Sequence, residues 1–435
     1  MASSDSQFVL IDGIPNHIAE IILQKLWTVD RIRVRTVSKA WNATLRQLPP
    51  SEPPWKILSN SFDQETNSKK INLLSPSKKQ YTFKYPNNGQ CCCGSSRGWL
   101  FIGGGGDMVA EIGKILLWNP LSGEIRNLPP LSSLQFFKNA VNACLGLGLN
   151  FLSCYVTRVH VFSTNSGELA AAMIFGFQDS GAQRRLIICT PDDPQWTAVD
   201  MKIGNENPMD VLFHRGKLIF FCNDLRNSTS VSNGVIGYGR RTVSLINGGE
   251  VDMEIVTMVY SGAREGEIPP PPPPGFSLHR GVFREDFLVA AASGEMLLVS
   301  ATVDRQADIN DQSLSYKLTK IGGVEVHQIN LCRGSLPAKL RSIGRQAVFV
   351  GGGCDAVSTS VNGIDNGEAL NDFIYFTENG MLVISTGARG NGIIQRIYTV
   401  QQRGKFNVQN GVVYTDFISY FRTKSKLLGW FVPKI

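Results

Sequence analysis

From Tyr81 to the C-terminus the chain is a succession of short apolar runs separated by turn residues, with no amphipathic helix of useful length between them. Trp99–Ile102, Ile115–Trp118, Ala170–Phe177, Leu186–Cys189, Leu218–Cys222, Phe287–Ala291, Met296–Ser300, Ala347–Val350 and Phe373–Phe376 have the length and composition of strands. Between such runs lie Asn119-Pro120-Leu121-Ser122-Gly123, His214-Arg215-Gly216-Lys217, Ser293-Gly294-Glu295, Gly322-Gly323 and Glu378-Asn379-Gly380, each of which predicts a turn. The 43 Gly and 21 Pro suit so many turns. Short strands without intervening helices restrict the body to a sandwich, a barrel or a propeller. Length decides among these. About 350 residues is too long for one sandwich or small barrel, whereas blades of about 40–50 residues divide it into six to eight. The expectation is an all-β propeller over residues 79–435, with Leu427–Val432 the candidate strand for completing its first blade.

The stretch Phe8–Leu48 departs from this pattern. Ile14, Ile18, Ile21, Ile22 and Leu26 recur at three- and four-residue steps, which predicts a helix with one apolar stripe. Pro15 fits its first turn, where a missing N–H costs nothing. Thr28 and Asp30 can cap a second helix carrying Val29 and Ile32. Val37, Trp41 and Leu45 share a face of a third, and Pro49 and Pro50 stop it. Three short helices bury too little apolar surface to be stable alone, so residues 8–50 are expected to rest on a partner or on the rest of the chain. Residues 51–78, rich in Pro, Ser, Lys and Asn, are expected to be a linker.

The order Ile14-Pro15, Ile18, Ile21-Ile22, Leu26, Val29-Asp30, then Arg33-x-Arg35-x-Val37-Ser38-Lys39-x-Trp41, resembles an F-box, with Ile14 in place of the family's Leu and Ser38 in place of its Cys. GSSRGWLFI, ILLWNPLSGEIRNLPPL, DVLFHRGKLIF, FLVAAASGEMLLVS and RQAVFVGGG with NDFIYFTENG resemble, in that order, the F-box-associated kelch-like propeller of plant F-box proteins. The resemblance implies a multidomain chain, a three-helix F-box followed by the propeller. It implies a non-catalytic substrate-recognition subunit of a Skp–cullin–F-box ubiquitin ligase, in the cytoplasm or nucleus. Ile14, Pro15, Ile18, Ile21, Ile22, Leu26, Val29, Ile32, Val37 and Trp41 would dock a Skp-type adaptor and through it a cullin. The propeller would hold a protein target whose identity the sequence does not carry. No catalytic residue, cofactor or metal is implied. The alternative is a propeller enzyme or sugar-binding module with a helical N-terminal cap, which predicts polar residues clustered in the central channel.

Other motifs are weaker. Gly94-Ser95-Ser96-Arg97-Gly98 matches the nucleophile elbow of esterases, but a strand-like run and not a helix follows it. Gly103–Gly106 lacks the spacing and helix of a phosphate loop. Cys91-Cys92-Cys93 would point to alternate faces of a strand and not converge on a metal. Arg31, Arg33, Arg35, Lys39 and Arg46 make the helical stretch basic. Residues two apart on a helix diverge, so no phosphate-facing row and no nucleic-acid partner is expected. Pro269–Pro274, within 265–275, predicts a polyproline loop. A net charge of +7 is mild, nine scattered cysteines suit reduced thiols, and neither a secretory signal nor a membrane span is expected.

Overall fold

The structure is a computed structural model that describes residues 10–11, 13–47, 52–63, 68–87, 90–104, 113–138, 156–176, 184–199, 206–224, 236–244, 250–258, 281–310, 313–317, 321–329, 338–351, 353–354, 356–360, 372–386, 394–409, 411, 413–422 and 429–433. Three helices come first: α1 (Asn16–Lys25), α2 (Thr28–Arg35) and α3 (Lys39–Gln47). Strands follow to the end of the chain.

Four sheets hold four strands each. The first runs Gly429–Phe431, Trp55–Asp63, Ser68–Leu74, Gln80–Lys84. The second runs Gln90–Ser96, Trp99–Gly104, Ile115–Trp118, Ile125–Asn127. The third runs Val156–Ser163, Leu169–Phe175, Arg185–Cys189, Thr197–Ala198. The fourth runs Glu206–His214, Lys217–Asp224, Glu250–Met258, Ile236–Ser244, with its middle pair parallel. A ten-stranded sheet comprises two groups, from Gly281–Ala290 to Ala338–Lys339 and from Gln346–Gly351 to Val413–Arg422. Between these groups one residue pair is recorded, Ala290 with Val357.

The cores show how the sheets are arranged. One apolar cluster lies between the first and second sheets, a second between the second and third, a third between the third and fourth, and a fourth between the fourth and Gly281–Ala290. Another joins the two halves of the ten-stranded sheet face to face, through Phe287, Val289 and Val299 on one side and Val348, Ile374 and Phe376 on the other. Ala347 and Phe349 then pack on Trp430 of the first sheet. Trp430 lies edge-on to Phe349 with ring centroids 5.1 Å apart, and its indole N–H donates to the Val350 carbonyl at 2.9 Å. Each sheet thus packs on the next and the last returns to the first. Phe431 pairs with Trp55, so the C-terminal run does complete the first sheet.

The leading strands of successive sheets are also fastened by side chains. The Val161 N–H donates to Ser96 Oγ at 2.7 Å, the Phe213 N–H to His160 Nε2 at 2.9 Å, and the Leu288 N–H to Asp210 Oδ2 at 2.6 Å. At these three junctions the earlier leading strand supplies an acceptor for the backbone of the next.

Hairpin turns follow the expected chemistry where the backbone needs it. Arg215-Gly216 between His214 and Lys217 has φ of 50° and 78°, and Arg97-Gly98 between Ser96 and Trp99 has 47° and 85°, as turns with two left-handed residues require. Gly94 answers a close approach. A Cβ there would lie 2.2 Å from the Gly353 carbonyl oxygen and 2.5 Å from Val159 Cγ2. Gly94→Ala is therefore expected to lower stability by about 1–3 kcal/mol in denaturant unfolding, because backbone must shift to admit the methyl.

Several expectations are corrected. Residues 51–78 are no linker: they carry two strands of the first sheet, with Trp55, Ile57, Ile71 and Leu73 alternating inward among polar neighbours that hide the pattern. Gly322-Gly323 is not a turn. Ile321 pairs with Val303 and Gly323 with Thr302, so Gly322 is the extra residue of a bulge inside Ile321–Ile329. Glu378-Asn379-Gly380 runs straight through Phe373–Thr386, each residue paired with the strand beside it. Pro269–Pro274 lies outside the described residues.

Candidate docking surface

The ten residues predicted to dock a partner divide into distinct settings. Ala19, Leu23, Trp41 and Leu45 form the core of the helical unit, with Ile14, Leu26 and Val34 packed on them. Trp41 is 8% exposed, so it supports the surface from beneath and does not present its ring. Pro15 is the half-buried N-cap of α1, Ile32 is half-buried, and Val29 packs against the core between the first two sheets. Ile18, Ile21 and Ile22 stand outside, 40%, 49% and 41% exposed.

Helix α1 is thus apolar on two sides. Ala19, Leu23 and Leu26 follow one row toward Trp41, while Ile18, Ile21 and Ile22 follow another. The single stripe read from sequence merges the two. Val37 is likewise not on the buried face with Trp41 and Leu45; it lies between α2 and α3 and is 67% exposed. Trp27, which the spacing argument passed over because it follows the last periodic residue, is 40% exposed. Large exposed apolar side chains concentrated on one small unit make it the candidate for an interaction surface.

The arginines of this unit are engaged separately. Arg31 is buried and its Nε donates to the Leu23 carbonyl at 2.9 Å, closing the C-terminus of α1. Burial lowers its pKa, against the attraction of Glu52. Arg33 pairs with Asp30 at 2.8 Å, and Arg35 Nε donates to Asn42 Oδ1 at 2.9 Å.

The body offers less. Ser96, the nucleophile position of the esterase-like motif, is buried, accepts the Val161 N–H and leads into a hairpin and no helix. Arg158, His160, Asp210 and Asp286 on the leading strands are 7%, 1%, 4% and 1% exposed. They are engaged in the fold: Asp210 accepts from the Val211 and Leu288 N–H groups, Ser300 donates to Asp286, and Arg158 lies over the Phe287 ring at 4.5 Å. A cleft of about 320 Å³ opens between the second and third sheets, lined by Trp99, Glu124, Arg126, Glu168 and Asp192, where Arg126 already pairs with Glu124 at 2.8 Å. Among the described residues no three His, Cys, Asp or Glu side chains group as metal ligands, and no helix is long and apolar enough to cross a membrane.

The family model described as KIB1-4 beta-propeller matches residues 71–406. The chain belongs to this family. The body is accordingly a beta-propeller-type domain, preceded by a small helical region. The KIB1-4 beta-propeller match begins within the first sheet and ends before its closing strand. No curated protein matches the chain. Among solved structures, similarity is found to a polysaccharide lyase, the PL25 ulvan lyase, with 9% identity over 84% of this chain and 96% of that one and a TM-score of 0.29. An α-L-arabinanase of Penicillium chrysogenum gives 10% identity over 86% and 98%, with a TM-score of 0.23. AofleA of Arthrobotrys oligospora gives 8% over 88% and 90%, with a TM-score of 0.24. Scores this low carry no argument about function.

Proposed function

We propose that this chain is the substrate-recognition subunit of a Skp–cullin–F-box ubiquitin ligase. The observation that carries the reading is the exposed row Ile18, Ile21 and Ile22 on α1, turned away from a helical core that Trp41 and Leu23 already complete. An apolar row this exposed suits a hydrophobic partner, and the F-box-like order of residues 14–41 points to a Skp-type adaptor bound in turn to a cullin. The propeller then holds a protein target, and we read its sheets as six blades, the ten-stranded sheet supplying two. Such a subunit makes and breaks no bond. It raises the local concentration of a target lysine near an activated thioester formed elsewhere in the assembly. Cys92, Cys93, Cys189, Cys222 and Cys354 are buried thiols, which suits the cytoplasm or nucleus.

Co-purification tests this directly. The tagged full-length chain is expected to retain a Skp adaptor and, through it, a cullin. A folded chain that captures neither overturns the proposal.

A further inference from the structure

The first turn of α2 lacks a cap of its own. Its N-cap is Trp27, extended at φ −67° and ψ 155°, whose side chain makes no capping hydrogen bond. The missing acceptor comes from the start of the propeller. The Thr28 N–H donates to Glu52 Oε1 at 3.0 Å. Glu52 is 6% exposed, and its carboxylate also faces the positive end of α2 and the buried Arg31.

Around this bond the helices meet the first sheet. Val29 packs against the cluster that contains Trp55, Ile71 and Phe431, and Tyr81 stacks on Trp55 with centroids 4.8 Å apart. Burial first, then the carboxylates of Glu52 and Asp30, push the Tyr81 phenol above its ordinary pKa, against the opposing charge of Arg33. Glu52 Oε2 and Trp55 Nε1 are both buried without a hydrogen-bond partner among the described residues. A carboxylate placed in so dry a position is costly unless its bonds hold it there.

We infer that Glu52 is a positioning residue: by capping α2 from the base of the first sheet it fixes the helical unit on the propeller, so that the docking row and the propeller turn as one body. The inference deepens the substrate-receptor reading, on which its purpose rests, since a fixed angle sets which lysines of a held target reach the ligase. Its geometry does not depend on that reading.

Two routes remove the bond. Glu52→Ala deletes the acceptor. Thr28→Pro deletes the donor at a helix position that accepts proline, after a residue already extended as proline requires. Thr28→Ala removes the hydroxyl and keeps the N–H. Single-molecule energy transfer is measured in the full-length chain between fluorophores on non-natural side chains at exposed Lys25 and exposed Glu295. The parent and Thr28→Ala are expected to give one narrow distribution. Glu52→Ala and Thr28→Pro are expected to broaden it with helicity retained by circular dichroism. A narrow distribution in Thr28→Pro overturns the inference, as does equal broadening by Thr28→Ala. Skp-adaptor binding is measured on the same variants without fluorophores, because Lys25 adjoins the docking row. Its absence from the parent refutes the receptor reading while the distance distributions still judge the joint.

Discussion

Asp210→Ala is expected to be the most damaging single substitution in the propeller, at about 3–5 kcal/mol, the cost of removing one partner from a buried ion pair. Asp210 ties three sheets together. One oxygen accepts the Leu288 N–H at 2.6 Å, and the other accepts the Val211 N–H at 2.9 Å and lies 3.5 Å from Arg158 Nε. Alanine would leave the Leu288 N–H buried without this acceptor and would take a carboxylate away from the buried Arg158 guanidinium. Asp210→Asn keeps an acceptor for Leu288 and is expected to cost less. Replacing both members of the pair, as in Arg158→Met with Asp210→Asn, removes both buried charges while keeping an acceptor for Leu288, and is expected to recover much of the loss. Equilibrium denaturant unfolding of the three variants checks the order. If Asp210→Ala unfolds at the parent's midpoint, the fastening of leading strands contributes little.

That network could not be read from the sequence, whereas the hairpins mostly could. His214-Arg215-Gly216-Lys217 announces its turn because two left-handed residues at adjacent positions leave few alternatives. Asp210 and Leu288 belong to different hairpins, and nothing local to either predicts that they meet. Gly322-Gly323 misled because glycine marks bulges as well as turns, and only the partner strand decides which. In the helical unit the periodicity identified three helices, and Val29 and Glu52 join that unit to the first sheet. What periodicity could not give is which apolar row of α1 faces inward. Ile18, Ala19, Ile21, Ile22 and Leu23 are all apolar, so the choice falls to α3, whose Trp41 and Leu45 cover Ala19 and Leu23 and leave the isoleucines bare. Thr28 shows the same limit in a polar residue. It looked like a cap and is instead the first helical residue, capped from residue 52.

The division of α1 into two rows gives the second large expectation. Ile22→Asp is expected to weaken Skp-adaptor binding at least about a hundredfold, since covering an isoleucine is worth about 1.5–3 kcal/mol and a carboxylate forced into the apolar contact adds its own desolvation cost. Ile18→Asp and Ile21→Asp are expected to act alike. All three positions are 40–49% exposed in the free chain, so folding should change by no more than about 0.5 kcal/mol. Trp41→Ala should also abolish binding, but for a different reason. The ring is buried against Ala19, Leu23 and Leu45, and removing it costs about 3–5 kcal/mol, enough to melt a unit this small. Circular dichroism and calorimetric titration on the same samples separate the two causes. Binding lost with helicity intact in Ile22→Asp assigns the contact to the exposed row, whereas parent-like affinity in that variant would remove the row from the interface and with it the main support for the ligase reading.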